Sequence, residues 1–156
     1  MMLREAADYK ETGIAWLSKI PKNWDMRQSK RLFSERKEKA RPDDKQMTAS
    51  QKYGVIYQED FMKLENQKVV QVVTGSDILK HVEPSDFVIS MRSFQGGLEY
   101  SNGRGCISSA YVMLIPGKGV VPEYFRYLFK SSAYIQALQI TSCTPSAHVG
   151  QIAHHC

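Results

Sequence analysis

Short apolar runs, separated by glycine, proline and polar clusters, mark the strands that the sequence predicts. Four runs are rich in β-branched and aromatic residues, which fit a half-buried pleated surface, and they lie at residues 53–57, 68–74, 87–91 and 108–115. A Pro-Ser-Asp turn at residues 84–86 leads into the third run. We therefore predict a strand at each of the four runs.

Four other segments have a helical pattern. Residues 122–138 begin with a proline, which is favourable at a first helical position, and carry aromatic and aliphatic anchors at helical spacing. Residues 29–40 hold good helix formers with a proline two residues beyond, which predicts a short basic helix on the surface. Shorter helices are predicted at residues 59–64 and 76–81, and the serine that begins the last one can cap it.

The remaining segments are predicted to be irregular. Residues 9–25 contain two tryptophans without a helical period, which indicates an ordered arm, and residues 41–52 form a polar loop. Residues 92–107 hold four glycines in sixteen residues, which is typical of a long, adaptable loop. Together these elements predict an α+β fold, with a small mixed β-sheet flanked by helices.

The same pattern indicates how the chain is organised. At 156 residues it is long enough for one domain with a sizeable core. We expect residues 1–26 to form an ordered N-terminal arm that makes one unit with a domain over residues 27–140. Residues 141–156 show no clear period and no caps, and we expect them to form a truncated or frayed tail.

The positive charge of the chain is unevenly distributed. The net charge is +5, and residues 1–52 hold 13 Lys and Arg against 8 Asp and Glu, so they carry the whole excess. A localised basic region favours a polyanion as partner, because each neutralised phosphate releases counterions. No run resembles a membrane span or a secretory signal, and three widely spaced cysteines favour free thiols in a reducing cytoplasm.

Catalytic and cofactor motifs are missing from the sequence. It has no glycine-rich phosphate loop, no HExxH zinc motif and no Pro-Pro-aromatic methyltransferase signature. Glu35 and Lys37 have the ExK spacing of some nucleases, but in a charge-rich segment such spacing arises by chance. Cys143 has no predicted base or helix start beside it. Four potential zinc ligands at the chain end lack the spacing of a zinc site: His148, His154, His155 and Cys156. We expect no catalytic residue, metal or cofactor.

Three groups of residues are candidates for contacts with DNA. Lysine and arginine can meet phosphates, arginine and glutamine can read base edges, and glycine lets the backbone approach a phosphate. The predicted basic helix supplies Lys30, Arg36 and Lys37, and the SQKYG segment supplies Lys52 and Tyr53. The glycine-rich loop supplies the third group: Arg92, Ser93, Gln95, Gly96, Gly97, Tyr100, Ser101 and Arg104. A solvated helix face and a polar loop without a ligand are the alternatives to these assignments.

Three stretches, in this order, resemble the target-recognition domain of type I restriction–modification specificity subunits. The first is YKETGIAWLSKIPKNW at residues 9–24, and the second is SQKYGVI at residues 50–56. The third and most specific is DFVISMRSFQGGLEYS at residues 86–101, followed by GCISSAYVM at residues 105–113 and by the segment PEYFRYL. Each motif alone is weak, and their order and spacing carry the resemblance over residues 9–138.

The resemblance implies a module that binds double-stranded DNA sequence-specifically and has no catalytic activity of its own. In that family two such domains, joined by long helices, each read one half of a split site, and methyltransferase and restriction subunits supply the chemistry. The motif positions present here are Arg92, Gly96, Gly97, Ser109 and Tyr111. The two glycines and Tyr111 are expected to shape the scaffold, and Gln95, Tyr100 and Arg104 are our inferred base readers.

The sequence departs from the family's pattern after this domain. The Leu-Pro-Pro segment and the long spacer helix that follow it in the family do not occur before Cys156. We therefore expect a single recognition half, with a surface left by the missing spacer at which a homodimer could form. The alternative is a truncated remnant that interacts with methyltransferase subunits or with itself and does not bind DNA specifically.

Overall fold

Strands and helices are interspersed along the chain in the computed structural model. The structure describes residues 8–68, 78–90, 96–142 and 151–155. Within these residues there are twelve strands, which divide among five small sheets, and four helices. The predicted α+β class is confirmed, and the strand pairs in these sheets are antiparallel.

Strands, not the irregular arm predicted from the sequence, form the segment near the N-terminus. β1 (Tyr9–Ile14) and β2 (Leu17–Pro21) pair as a hairpin, and β3 (Trp24–Gln28) pairs with β12 (Gln151–His155). Exposed and half-buried positions alternate along β1, but two of its three half-buried residues are polar. The hydrophobic alternation that predicts a strand was therefore absent. Strand β12 lies within the tail expected to fray, and the division into domains stays a prediction.

A four-stranded sheet in the order β4-β11-β8-β9 forms the largest sheet of the fold. Its strands are β4 (Phe33–Glu35), β11 (Tyr111–Pro116), β8 (Phe87–Ser90) and β9 (Glu99–Tyr100). Two further pairs complete the described strands: β5 (Met47–Ser50) with β6 (Gly54–Tyr57), and β7 (Leu79–Val82) with β10 (Gly105–Ser108). The strands predicted at residues 53–57, 87–91 and 108–115 correspond to β6, β8 and β11.

This largest sheet has a different core on each face, because successive residues of a strand point to opposite sides. Along β8, Phe87 joins an aromatic cluster and the next residue, Val88, joins an aliphatic cluster. The aromatic cluster consists of Phe33, Phe87, Leu98, Phe125, Phe129, Tyr134 and Leu138. The aliphatic cluster consists of Met47, Val55, Val82, Val88, Ile107 and Met113. Each such buried side chain stabilises the fold by about 2 kcal/mol relative to an exposed one.

The four helices are α1 (Ser29–Leu32), α2 (Gln58–Glu65), α3 (Pro122–Leu128) and α4 (Ser132–Ser142). The last two correspond to the single helix predicted at residues 122–138. Between them, the Ser131 hydroxyl donates to the carbonyl of Leu128 (2.7 Å) and accepts from the backbone N–H of Tyr134 (3.3 Å). Such local bonds compete with the helical ladder, so the chain turns at this serine.

The basic helix predicted at residues 29–40 is wrong beyond its first turn. Helix α1 ends at Leu32, and Phe33 begins β4, where its side chain is buried among aromatic rings. Pairing of β4 with β11 and burial of Phe33 together outweigh a helix propensity of a few tenths of a kcal/mol per residue.

The predictions for two shorter segments are also wrong, because strand pairing decides their structure. The predicted polar loop at residues 41–52 contains β5, and the predicted helix at residues 76–81 overlaps β7, which begins at Leu79. The serine proposed to cap that helix lies outside the described residues, as does the strand predicted at residues 68–74 apart from Lys68. The predicted turn before β8 is found, with Ser85 at a φ of 73°.

Candidate nucleic-acid interface

Glycines allow a tight turn just before β9. Gly97 has a φ of +72°, and a Cβ atom at this position would lie 2.2 Å from the carbonyl oxygen of Phe129. A side chain would therefore meet both backbone strain and a steric clash. The backbone of residues 96–98 can lie against the junction of α3 and α4 only because position 97 is glycine.

Lys130 bonds to this turn from the same junction. Its ammonium donates to the carbonyl oxygen of Gly96 (2.7 Å) and to Glu99 Oε1 (2.6 Å). The Glu99 side chain is only 10% exposed. Burial raises the pKa of Glu99, and the hydrogen bond and charge of Lys130 act in the opposite direction.

The SQKYG segment forms the connection between β5 and β6, and it reaches the same place. The Ser50 hydroxyl accepts hydrogen bonds from the backbone N–H groups of Lys52 and Tyr53 (3.2 and 3.3 Å). Gly54, at a φ of +75°, approaches so closely that a Cβ atom there would lie 2.9 Å from the Tyr100 carbonyl oxygen. A bridge between Val55 and Ser101 continues this contact. Two motifs that lie about forty residues apart in sequence are thus neighbours.

A cleft of about 210 Å³ lies between these two motifs and the end of α3, and we call it the tyrosine cleft. It is lined by Gln51, Lys52, Tyr53, Gly54, Leu98, Glu99, Tyr100, Arg126, Tyr127 and Lys130. This concave surface combines three tyrosine rings with three cationic side chains, and tyrosine hydroxyls and exposed cations can both bond to phosphates.

Lys52 and Tyr53 share one carboxylate beside the cleft. The Tyr53 hydroxyl and the Lys52 ammonium both donate to Glu65 Oε1, at 2.7 and 3.0 Å, and the ammonium also lies 4.8 Å from the centre of the Tyr53 ring. The hydrogen bonds from Tyr53 and Lys52 lower the pKa of Glu65. The Lys52 side chain stays 69% exposed, so it can still reach a ligand.

Tyr100 and Arg126 form the opposite part of the cleft. The Arg126 guanidinium lies 5.4 Å from the centre of the Tyr100 ring, and within the described residues Arg126 has no acidic partner. The Tyr100 hydroxyl lies 3.1 Å from that of Ser85, and its ring packs edge-on against Phe87. Tyr100 is therefore held by its neighbours, whereas Arg126 presents an exposed charge.

Ser101 and Arg104, which sequence analysis assigned to the same loop, have different surroundings. Ser101 is fully buried and donates to the carbonyl of Gly103 (2.8 Å). One terminal nitrogen of Arg104 lies 2.9 Å from both carboxylate oxygens of Asp43, and this hydrogen bond lowers the pKa of Asp43. Arg92, Ser93 and Gln95 lie outside the described residues.

Three arginines of the basic segment, residues 27–41, pair with carboxylates, and Arg27 does so with Asp25 at 3.5 Å. Arg36 forms two hydrogen bonds to Asp86 (2.6 and 3.1 Å) and one to Glu38 (2.6 Å), and its side chain is 13% exposed. Arg41 is paired with Glu38 and Glu83. Lys30 is exposed on α1, and Lys37 is 79% exposed with Glu35 at 3.9 Å. The three basic-segment candidates thus do not form one surface with equal access to a ligand.

A buried histidine, His81, which the sequence analysis did not single out, connects two carboxylates behind the basic segment. His81 is fully buried, with Nδ1 2.6 Å from Asp44 Oδ2 and Nε2 2.7 Å from Glu83 Oε1. The hydrogen bond from His81 lowers the pKa of Glu83. Both ring nitrogens of His81 therefore lie at hydrogen-bond distance from an acidic side chain. Within the described residues no cluster of potential ligands could hold a metal ion.

Arg126, Tyr127 and Lys130 are the cleft residues that sequence analysis missed. They lie in the predicted helix at residues 122–138, for which the sequence analysis considered only the apolar anchors. Tyr127 is 77% exposed, which is unusual for a large aromatic side chain. The motif PEYFRYL contained the only sequence signal that pointed here, because it follows the glycine-rich motif in the resemblance described above.

The fold is similar to that of a solved protein. The crystal structure of the HsdS subunit from Thermoanaerobacter tengcongensis matches with a TM-score of 0.51 and 12% sequence identity, over 93% of this chain and 35% of that one. This chain therefore spans about a third of the length of that subunit. No family model and no curated protein matches the sequence. None of the described helices is both long and apolar enough to cross a bilayer. At this identity the likeness concerns the fold.

Proposed function

We propose that this chain is a specificity module of a type I restriction–modification system that binds double-stranded DNA and has no catalytic activity of its own. The observation that carries the proposal is the tyrosine cleft, where the SQKYG segment and the glycine-rich motif meet although they are distant in sequence. The likeness of the fold to an HsdS subunit supports the same assignment.

In this proposal charge and base recognition are divided between different residues. Lys52 and Arg126 are exposed at the cleft and would contact phosphates, which position a protein on DNA without reading its sequence. The predicted base readers Gln95 and Arg104 would act from the glycine-rich loop. Arg104 would then have to exchange its partner Asp43 for a base edge.

The whole assembly is a further part of the proposal. Methyltransferase and restriction subunits would supply the chemistry in the complete system. A homodimer would need an apolar surface, and an apolar cleft of about 460 Å³ lies between the tip of the β1–β2 hairpin and α4, with Trp16 on one side and Ile140, 69% exposed, on the other. Sedimentation of the free chain distinguishes a dimer from a monomer.

Selection from a randomised pool of duplexes at two salt concentrations tests the proposal. We expect the bound fraction to be enriched in one short motif, and the affinity to fall steeply with salt because phosphates are neutralised.

Arg126→Ala should lower the slope of log affinity against log salt by about 1, since it removes one phosphate contact. Lys118→Ala, which removes an exposed cation that does not line the cleft, is the matched control and should change the slope much less. Binding without enrichment, or no binding at either salt concentration, would overturn the proposal.

A further inference from the structure

The contact between Lys130 and the glycine turn, defined as residues 96–99, has a specific geometry. One ammonium joins the carbonyl oxygen of Gly96 to the carboxylate of Glu99, with both distances below 2.8 Å. The preceding residue, Phe129, supplies the carbonyl oxygen against which Gly97 packs. Two consecutive residues of the α3–α4 junction therefore contact the turn.

Because both side chains are largely buried, stability alone does not explain why an ion pair lies here. The side chains of Glu99 and Lys130 are 10% and 32% exposed, and desolvation of two charges commonly cancels their attraction. Apolar residues could fill the same space with similar stability. An apolar pair could not donate a hydrogen bond to the Gly96 carbonyl. The Lys130 ammonium donates to this carbonyl and to the Glu99 carboxylate at the same time.

We propose that Lys130, together with Glu99, is a positioning residue that determines sequence specificity by fixing the glycine turn at the edge of the tyrosine cleft. The inference rests on the proposed DNA-binding function. Reading of base edges requires groups held to about 0.5 Å, whereas contacts to phosphates tolerate looser geometry. Loss of the pair should therefore reduce discrimination between sequences while leaving general affinity for DNA in place.

The charge of Lys130 distinguishes positioning from direct contact. Its ammonium is already bonded to Glu99, so Lys130→Met should not change the salt dependence of binding to a non-specific duplex. We expect the ratio of specific to non-specific affinity to fall about tenfold, and to fall less in Lys130→Arg, which keeps charge and donors. The matched control is Lys118→Met, which removes an exposed lysine outside the cleft and should leave the ratio unchanged.

Two readouts test the inference. Affinities for the selected and a scrambled duplex, measured at several salt concentrations, give the ratio and the slope. Amide hydrogen exchange of Gly97 and Leu98 in the free chain should be faster in Lys130→Met than in wild type and in Lys118→Met. A salt slope lowered by about 1, with equal loss on both duplexes, would show Lys130 to be a phosphate contact and overturn the inference.

The failure of the inference differs from the failure of the proposed function. If the wild-type chain shows no sequence preference, the proposed function fails, and the exchange measurement alone decides whether Lys130 positions the turn. Unchanged exchange at Gly97 and Leu98, or an unchanged affinity ratio in a folded Lys130→Met variant with a selective wild type, would overturn the positioning role.

Discussion

The basic segment and the tyrosine cleft differ in what holds their cationic side chains. The basic segment is the richest in lysine and arginine, yet Arg36 and Arg41 are bonded to carboxylates, and Arg36 is almost buried. The same segment also holds exposed lysines, Lys30 and Lys37. In the cleft, Lys52 and Lys130 are bonded to carboxylates, and Arg126 has no acidic partner among the described residues. The density of charge along a sequence therefore does not show which cations belong to the internal structure and which can meet a polyanion.

The difference arises from which carboxylates the fold brings near each cation. Asp86 lies fifty residues from Arg36 in sequence. It comes directly before β8 and Arg36 directly after β4, and the two side chains meet although β11 lies between these strands in the sheet. The Asp86 side chain is only 1% exposed, and it also accepts the backbone N–H of Glu83. Arg36 is thus part of the internal structure, whereas Arg126 lies over a tyrosine ring at the surface.

The largest effect that we predict comes from breaking the buried pair of the basic segment. Asp86→Ala should lower the free energy of unfolding by about 3 kcal/mol, because the largely buried Arg36 guanidinium loses two of its hydrogen bonds and the N–H of Glu83 loses its acceptor. Urea unfolding followed by circular dichroism measures the loss.

Lys37→Ala is the control from the same segment. Its ammonium is exposed and 3.9 Å from Glu35, so the change should stay within about 0.5 kcal/mol. Similar losses in Asp86→Ala and Lys37→Ala would remove the distinction between a structural and an accessible cation in this segment.

The second prediction concerns the glycine turn beside the cleft. Gly97→Ala should destabilise the fold by about 2 kcal/mol or more, because the new Cβ combines left-handed strain with a clash against the Phe129 carbonyl. Gly119→Ala is the matched control, since Gly119 has a φ of +84° with nothing within 4 Å of a Cβ, so only the strain of about 1 kcal/mol remains. Thermal or urea unfolding compares the two variants, and equal losses would contradict the close approach of the turn to the α3–α4 junction.

The smallest predicted effect is on the pH dependence of the free energy of unfolding, and it comes from Glu83. The hydrogen bond from His81 lowers the pKa of Glu83 in the folded chain, so Glu83 stabilises the fold fully above its unfolded pKa. The stabilisation by Glu83 is lost as the pH falls from its unfolded pKa through its lower folded pKa. In that range Glu83 is protonated in the unfolded chain before it is protonated in the folded chain, which favours unfolding. Urea midpoints between pH 3 and pH 7 should therefore fall less steeply on the acid side in Glu83→Gln than in wild type. Parallel curves would contradict the assignment.

The sequence predicted some elements well because their signals were local. The alternation and β-branched residues of β6 and β8, the turn before β8 and the first turn of α3 all follow from residues next to one another. Helix α2 was found within two residues of its predicted ends. The glycine-rich and SQKYG segments were also recognised as candidate binding segments.

Other features depended on residues that are distant in sequence. Phe33 begins a strand although a helical pattern runs through it, because its ring packs on Phe87 and Phe125. The hairpin of β1 and β2 has too few apolar residues to show alternation, and its pairing is set by backbone hydrogen bonds. Neither contact can be derived from the neighbouring residues alone.

The sequence by itself determined the class of the fold, the turn before β8 and the segments that carry candidate chemistry, because propensity and turn chemistry are properties of a few adjacent residues. Only the tertiary structure decided which charges are accessible. Arg36 meets Asp86, Arg104 meets Asp43, and Lys130 bonds to the turn of Gly96, all across thirty or more residues of chain. The electrostatic state of a side chain depends on its burial and on the partner within about 4 Å, and long-range packing decides both.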